Sequence, residues 1–173
     1  MLIGECKIRA NLESGAWSCN VPLSSLVIGA NSVDVTLSNK FMTVECRDTI
    51  CDIYSSRIHG KLIEAETMII KPGAFILGCT NEAFNCGDCA PMYEGRSTIA
   101  RLGIGSHVTA GFGDIGFSGC WTLELFNVGP LKVQLHAGMR IGQVYFMSVD
   151  GGGTYEGVYD GSKVPVPAML GKR

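Results

Sequence analysis

At 173 residues the chain can bury one substantial core but not two comfortable ones. Hydrophobic residues make up 46% against 17% charged, the net charge is -2, and no block of like charges occurs, which argues against a basic coat for nucleic acid or an anionic membrane surface. Any anion that binds must be met by a few cations placed locally.

The first thirteen residues set Ile3, Cys6, Ile8 and Leu12 near helical spacing before Gly15, which predicts a short N-terminal helix. Glu5, Lys7 and Arg9 stand where a signal peptide would carry its apolar core. The longest apolar runs, such as Ala74-Phe75-Ile76-Leu77, fall far short of a membrane span. A cytoplasmic protein with no membrane contact is expected. Residues 32–37 alternate strictly and predict a half-buried strand, as do residues 131–135. Met68-Ile69-Ile70, Ala74 to Leu77, Trp121 to Phe126 and Ile141 to Phe146 are further short apolar runs. Lys71-Pro72-Gly73, Asn127-Val128-Gly129-Pro130 and Ala137-Gly138 supply turns between them, and 23 glycines suit many tight corners. The body is therefore read as one mostly β domain over residues 1–150. From Gly151 the texture becomes glycine-rich with too little apolar content for a core, so residues 151–173 are read as a flexible tail. Its backbone N–H groups and tyrosines, Tyr155 among them, would suit a lid over a bound ligand.

Eight cysteines raise the question of a disulfide scaffold, but the length and the charged N-terminus favour reduced thiols. Cys86-Gly87-Asp88-Cys89 is half of a zinc site and also a redox pattern. A zinc site needs two more ligands; Cys79 is a candidate third, and no second C-x-x-C or His-x-His is present. Free thiols beside a turn are the favoured reading, with a structural metal or a reversible disulfide as alternatives.

The densest chemistry lies between residues 94 and 125. Glu94-Gly95-Arg96-Ser97-Thr98-Ile99-Ala100-Arg101-Leu102-Gly103 combines guanidinium groups with hydroxyls after a glycine that lets backbone approach, a combination suited to a phosphate chain. His107-Val108-Thr109-Ala110-Gly111-Phe112-Gly113-Asp114 follows, then Trp121-Thr122-Leu123-Glu124-Leu125. In a strand, Trp121, Leu123 and Leu125 share one face, leaving Thr122, Glu124 and Phe126 on the other. A lone strand glutamate is most often solvated, a lone histidine is most often structural, and an aspartate in a glycine turn commonly caps its own backbone. Their conjunction favours an anion site beside proton-transfer groups.

At these residues the chain resembles the dCTP deaminase branch of the dUTPase-like superfamily. The likeness extends to Ser32-Val33-Asp34-Val35-Thr36-Leu37-Ser38-Asn39-Lys40-Phe41, to Lys71-Pro72-Gly73-Ala74-Phe75 and to Gly138-Met139-Arg140-Ile141-Gly142-Gln143, in order over nearly the whole chain. It implies an all-β subunit, a distorted β-barrel or jelly roll of the dUTPase-like type, assembled as a homotrimer with active sites where subunits meet. The implied activity is zinc-independent hydrolytic deamination of dCTP, supplying dUMP for dTTP synthesis. Glu124 would be the general base toward the water that attacks cytosine C4, with Arg101 and Ser97 positioning that water. The backbone of Val108, Thr109 and Ala110 would hold the base edge, with His107 among the substrate-binding residues. Asp114 would bind the 3′-hydroxyl and, as a catalytic group, assist the water of the second, phosphate-cleaving step, and Phe117 would lie against the deoxyribose. Arg96, Ser97 and Thr98 would hold phosphates, with Tyr155 closing from the tail and Mg2+ chelated mainly by the triphosphate.

Zinc-dependent cytosine deaminases carry H-x-E followed by P-C-x-x-C. His59, His107 and His136 are followed two residues later by Lys61, Thr109 and Gly138, so none supplies that glutamate. Gly111-Phe112 resembles the members that continue to dUMP and pyrophosphate. Release of dUTP, a dUTPase, and a non-catalytic nucleotide-binding trimer remain alternatives. Thr154-Tyr155-Glu156-Gly157-Val158 lacks a lysine and a glutamine common in the family's tail, Gly113 and Ile115 replace an apolar residue and a proline, and Thr98 replaces a serine. These departures bear on triphosphate affinity and leave dCMP open as a substrate.

Overall fold

The computed structural model describes residues 1–170. In chain order the elements are α1 (Glu5–Glu13), β1 (Trp17–Cys19), β2 (Val33–Thr36), β3 (Lys40–Met42), β4 (Glu45–Cys46), β5 (Ile58–His59), β6 (Leu62–Glu64) and β7 (Thr67–Ile70). There follow β8 (Phe75–Cys86), β9 (Cys89–Gly95), α2 (Ser97–Ala100), β10 (Ile104–Gly105), β11 (Gly119–Asn127), β12 (Val133–His136) and β13 (Arg140–Ser148). The chain is thus mostly β with short helices, as the alternating segments predict.

The N-terminal helix forms, but it starts at Glu5. Leu2 bridges Met147 and the Ile3 N–H donates to the Phe146 carbonyl at 2.9 Å, so the first residues extend along β13 instead of coiling. Ile8 is the helix's fully buried anchor, whereas Cys6 faces solvent. Glu5 and Arg9 pair one turn apart at 2.9 Å, and Gly15 just beyond the end takes φ 76°, the left-handed conformation that ends a helix most cheaply in glycine.

Two sheets hold most of the core. One runs β10-β11-β8-β3-β6 with β1 also on β8, and the other runs β2-β13-β9. The chain crosses from the first sheet to the second at the Gly87-Asp88 turn between β8 and β9. Trp17 packs on Phe146 with ring centroids 4.7 Å apart and Phe84 meets Phe146 edge-on at 5.6 Å, joining residues of both sheets. Cys86 and Cys89 flank the turn as buried free thiols. Trp17 Nε1 fixes the turn by donating to Asp88 Oδ1 at 2.6 Å. The contact with the Cys89 side chain, followed by burial, raises the Cys86 pKa far above the ordinary thiol range.

β8 is much longer than the apolar run at its start. Its second half contains Asn81, Glu82 and Asn85, which hide the strand pattern. Glu82 is buried because its carboxylate accepts from the Thr36 N–H at 2.7 Å and the Thr36 hydroxyl at 2.8 Å. No described helix is long and apolar enough to cross a membrane.

Candidate active site

β11 and β8 pair antiparallel, with Glu124 opposite Leu77 and Phe126 opposite Phe75. Leu123 and Leu125 are fully buried between the layers, which turns Thr122 and Glu124 outward as the alternation predicts. These outward residues floor a cavity of about 460 Å3 that also takes in Ala110, Asp114, Phe117 and Tyr155.

The loop between β10 and β11 makes one wall. It docks on β9 through an isolated bridge between Met92 and Phe112, with Tyr93 N–H donating to the Gly111 carbonyl at 2.7 Å and Gly113 N–H to the Pro91 carbonyl at 2.9 Å. Both glycines are required by space. A Cβ at Gly111 would lie 2.6 Å from the Tyr93 carbonyl oxygen, and one at Gly113 would lie 2.8 Å from that of Pro91. Beyond them Asp114-Ile115-Gly116-Phe117 closes a type II turn, with Gly116 at φ 81° and Phe117 N–H donating to the Asp114 carbonyl at 3.2 Å. Among the described residues no protein donor holds the Asp114 carboxylate, which faces the cavity. Phe117 is fixed edge-on between Trp121 at 5.9 Å and Tyr155 at 5.6 Å.

Glu124 receives a hydrogen bond from the Val108 N–H at Oε2, 3.1 Å away. Among the described residues its other oxygen has no protein donor. His107 lies behind the loop instead of in the cavity: its Nε2 is 3.4 Å from Glu94 Oε2, its ring stands edge-on to Tyr93 at 5.7 Å, and its Nδ1 is buried without a partner. Burial pushes the Tyr93 hydroxyl well above the ordinary tyrosine pKa, so it stays neutral under that packing.

The tail forms the opposite wall. Tyr155 N–H donates to the Ile115 carbonyl at 2.8 Å, Cys120 N–H to the Ser162 carbonyl at 2.9 Å, and Val166 N–H to the Thr122 hydroxyl at 3.1 Å. Tyr159, Ser162, Val166 and Ala168 thereby line the cavity. Sequence reading misses these four, along with Phe75, Leu77, Thr122 and Val44. Thr122 alone carries a local signal, since it shares the outward strand face with Glu124.

The arginine segment is elsewhere. Ser97, Thr98 and Arg101 are exposed on and just after α2, and with Arg96 they do not line this cavity. Nor do Val108 and Thr109, although Val108 reaches Glu124 through its backbone. Arg96 Nη1 binds Asp34 Oδ2 at 2.5 Å, and Arg140 binds the same oxygen at 3.0 Å. Among the described residues no three His, Cys, Asp or Glu side chains come together as a cation site.

The family described as dCTP deaminase-like matches residues 2–149. A protein of Clostridium botulinum (strain Alaska E43 / Type E3), named "dCTP deaminase, dUMP-forming", is 40% identical over 130 residues, covering 75% of this chain and 73% of that relative. One of Mycobacterium leprae (strain Br4923) with the same name is 33% identical over 181 residues, covering 97% of this chain and 95% of the relative. Among solved structures, the 2′-deoxycytidine 5′-triphosphate deaminase of Agrobacterium tumefaciens superposes with a TM-score of 0.60 at 18% identity. That match covers 83% of this chain, which spans 46% of the solved one.

Proposed function

This chain belongs to the dCTP deaminase-like family, and from that premise we propose that it hydrolyses the 4-amino group of dCTP and then cleaves the α–β phosphoanhydride, yielding dUMP and pyrophosphate. The observation that carries the reading is Glu124 on the floor of a cavity, one oxygen held by the Val108 N–H, with Asp114 and Phe117 on the adjoining wall.

A water beside Glu124 passes one proton to the carboxylate as it attacks C4, and Glu124 delivers it to N3; the proton of the added hydroxyl then passes through Glu124 to the 4-amino group as ammonia departs and the C4 carbonyl forms. Cytosine and one water become uracil and ammonia, so Glu124 ends as it began. The Val108 N–H orients the carboxylate, and the backbone from Val108 to Ala110 borders the base edge, with His107 packed behind it. Asp114, left without a protein donor, is offered to the 3′-hydroxyl. Phe117, locked between two aromatic rings, leaves a flat surface for deoxyribose that a 2′-hydroxyl would crowd. In the second step a water attacks the α-phosphorus and pyrophosphate leaves, while the same contacts hold the sugar.

Arg101 and Ser97 belong to this mechanism as groups supplied by a neighbouring subunit, which is what their exposure outside the cavity suggests. The assembly proposed is a homotrimer of distorted barrel or jelly-roll subunits, with Arg96, Ser97 and Thr98 reaching the phosphates of the adjacent subunit's nucleotide. Magnesium enters on the triphosphate as part of the substrate, because the described side chains offer it no ready cage of their own. The deamination proposed needs no zinc.

Incubation with dCTP, dUTP or dCMP plus magnesium, with ammonia and pyrophosphate measured together, tests the reading. Equal yields of ammonia and pyrophosphate from dCTP, with little free dUTP early, are expected. Stoichiometric dUTP without pyrophosphate shows deamination alone, and turnover of dUTP but of no cytosine nucleotide shows a dUTPase. Tight binding without turnover shows a nucleotide-binding trimer.

A further inference from the structure

The hairpin of β4 and β5 stands apart from the two main sheets, pairing Glu45 with His59 and Cys46 with Ile58. The loop over residues 47–57 extends beyond it, and its large apolar side chains, Ile50, Ile53 and Tyr54, are exposed. No apolar core therefore holds this loop. A polar hub does. The buried Ser56 hydroxyl donates to Asp48 Oδ2 at 2.6 Å and accepts from the Asp52 N–H at 2.9 Å. Ser56 N–H returns to the Asp52 carbonyl at 2.9 Å, and Tyr54 N–H donates to Asp52 Oδ1 at 2.8 Å.

The hub gathers two thiols. Cys46 Sγ donates to Asp48 Oδ2 at 3.8 Å, the same oxygen that Ser56 holds. Cys51 immediately precedes Asp52, whose N–H is bound to that serine, and its side chain meets both Cys46 and Ser56. Both thiols are free, with Cys51 exposed and Cys46 half-buried. Cys86 and Cys89 also touch, but they are buried, out of reach of a dissolved reagent. Although Cys51 lies at the surface, desolvation by the loop around its sulfur, and then the Cys46 side chain, raises its pKa, so its exchange is slow at neutral pH.

We propose that Cys46 and Cys51 form a reversible dithiol–disulfide pair that exchanges with small-molecule disulfides. The deprotonated sulfur of one cysteine attacks the small disulfide, giving a mixed disulfide and releasing one small thiolate, which takes up the proton. The second cysteine then attacks the protein sulfur of that mixed disulfide, and the second small thiol leaves. Two protein thiols are oxidised and one small disulfide is reduced to two thiols, so no further oxidant is needed. The new bond closes a ring over residues 46–51 and adds a covalent tie where only the polar hub held the loop. Val44, just before this hairpin, lines the first cavity, which places the tie beside that cavity's rim.

The test is equilibration of the folded full-length protein with oxidised and reduced glutathione at mildly alkaline pH, followed by acid quench, alkylation of the remaining thiols and digestion with trypsin. Cleavage after Lys40, Arg47 and Arg57 puts the two cysteines on separate peptides, 41–47 and 48–57. These should appear joined, two hydrogens lighter than their sum, and should separate on reduction. In Cys46→Ser or Cys51→Ser the surviving thiol should retain glutathione, as the exposed Cys6 of α1 does in every variant, because no partner resolves it. Unfolding in urea should lower the equilibrium constant for the bond by about tenfold or more, equivalent to about 30 mV in reduction potential, because the hub no longer gathers the thiols. Recovery of the two cysteines on separate peptides from the oxidised parent overturns the pair, as does a joined product found only in a covalent dimer. A bond formed equally well in urea shows that the fold does not gather the thiols, and overturns the proposal too.

Discussion

The wall that carries Glu124 and the short helix that carries Ser97 to Arg101 are close in sequence and separate in the fold. Glu124, Asp114, Phe117 and Tyr155 converge on one cavity within a single chain. Arg96 to Arg101 follow β9, a strand of the other sheet, and present their hydroxyls and Arg101 to solvent. The difference teaches that residues close in sequence can lie on separate faces of the fold: one face lines a cavity with carboxylates, and the other presents arginine and hydroxyl groups to solvent.

The sharpest way to test the division is to disable each half. Glu124→Gln keeps the shape but cannot accept a proton, so ammonia release should fall by about a hundredfold to ten-thousandfold while dCTP still binds. Near-normal release would remove Glu124 from the chemistry. Arg101→Ala should lose about a hundredfold through weakened stabilisation of developing charge. Co-expression of the two variants then separates the halves, because mixed assemblies contain some contacts with an intact Glu124 facing an intact Arg101. Recovered activity in the mixture, absent from either variant alone, is expected. If mixing recovers nothing although both variants co-purify, Arg101 does not act across a subunit contact.

Smaller effects concern the scaffold beneath the cavity. Asn127 ends β11 and is almost fully buried: its amide donates to the carbonyls of Ile70 at 2.9 Å and Leu131 at 2.7 Å, and its oxygen accepts from the Gly129 N–H at 2.8 Å. Asn127→Ala strips partners from one buried and two half-buried backbone groups and should cost about 2–3 kcal/mol in denaturant unfolding. A loss below about 0.5 kcal/mol would show that water replaces the side chain.

The smallest effect is titration of the buried thiols. Burial raises the Cys79 pKa to about 11, with Cys86 raised as well. An unfolded thiol ionises near its ordinary value, so between there and the folded pKa the unfolded state holds fewer protons, and stability falls as pH rises. Tm should drop between pH 8 and pH 10 by at least roughly 2–4 °C, the change that about 1 kcal/mol produces in a protein of this size. Cys79→Ala should flatten part of that slope after allowance for its own packing loss; an unchanged slope would place the effect on other groups.

Local alternation made much of the sheet legible. Val33, Val35, Leu123 and Leu125 all point inward, and Thr122 and Glu124 point out. β9 was not legible. Cys89, Ala90 and Pro91 are buried consecutively and Pro91 resembles a breaker, yet β9 lies at the edge of its sheet, where the missing N–H is tolerated. His107 matched a base-binding pattern, but its ring lies behind the loop, because the glycines at 111 and 113 let that loop settle against β9.

By itself the sequence determined the strand-rich class, the short N-terminal helix, the outward face of Glu124 and the order of motifs that marks the family. Those properties depend on side-chain period and on residues close along the chain. Only the tertiary structure decided which residues line the cavity, because that depends on the chain passing between two sheets at Gly87-Asp88 and on a tail that returns to donate from Val166 to Thr122. It also decided that the Lys40 ammonium reaches the Lys163 carbonyl, 3.3 Å away, and that Arg101 stands apart from the cavity. Contacts between such distant positions follow from packing and hydrogen-bond satisfaction over the whole fold, and no local pattern encodes them.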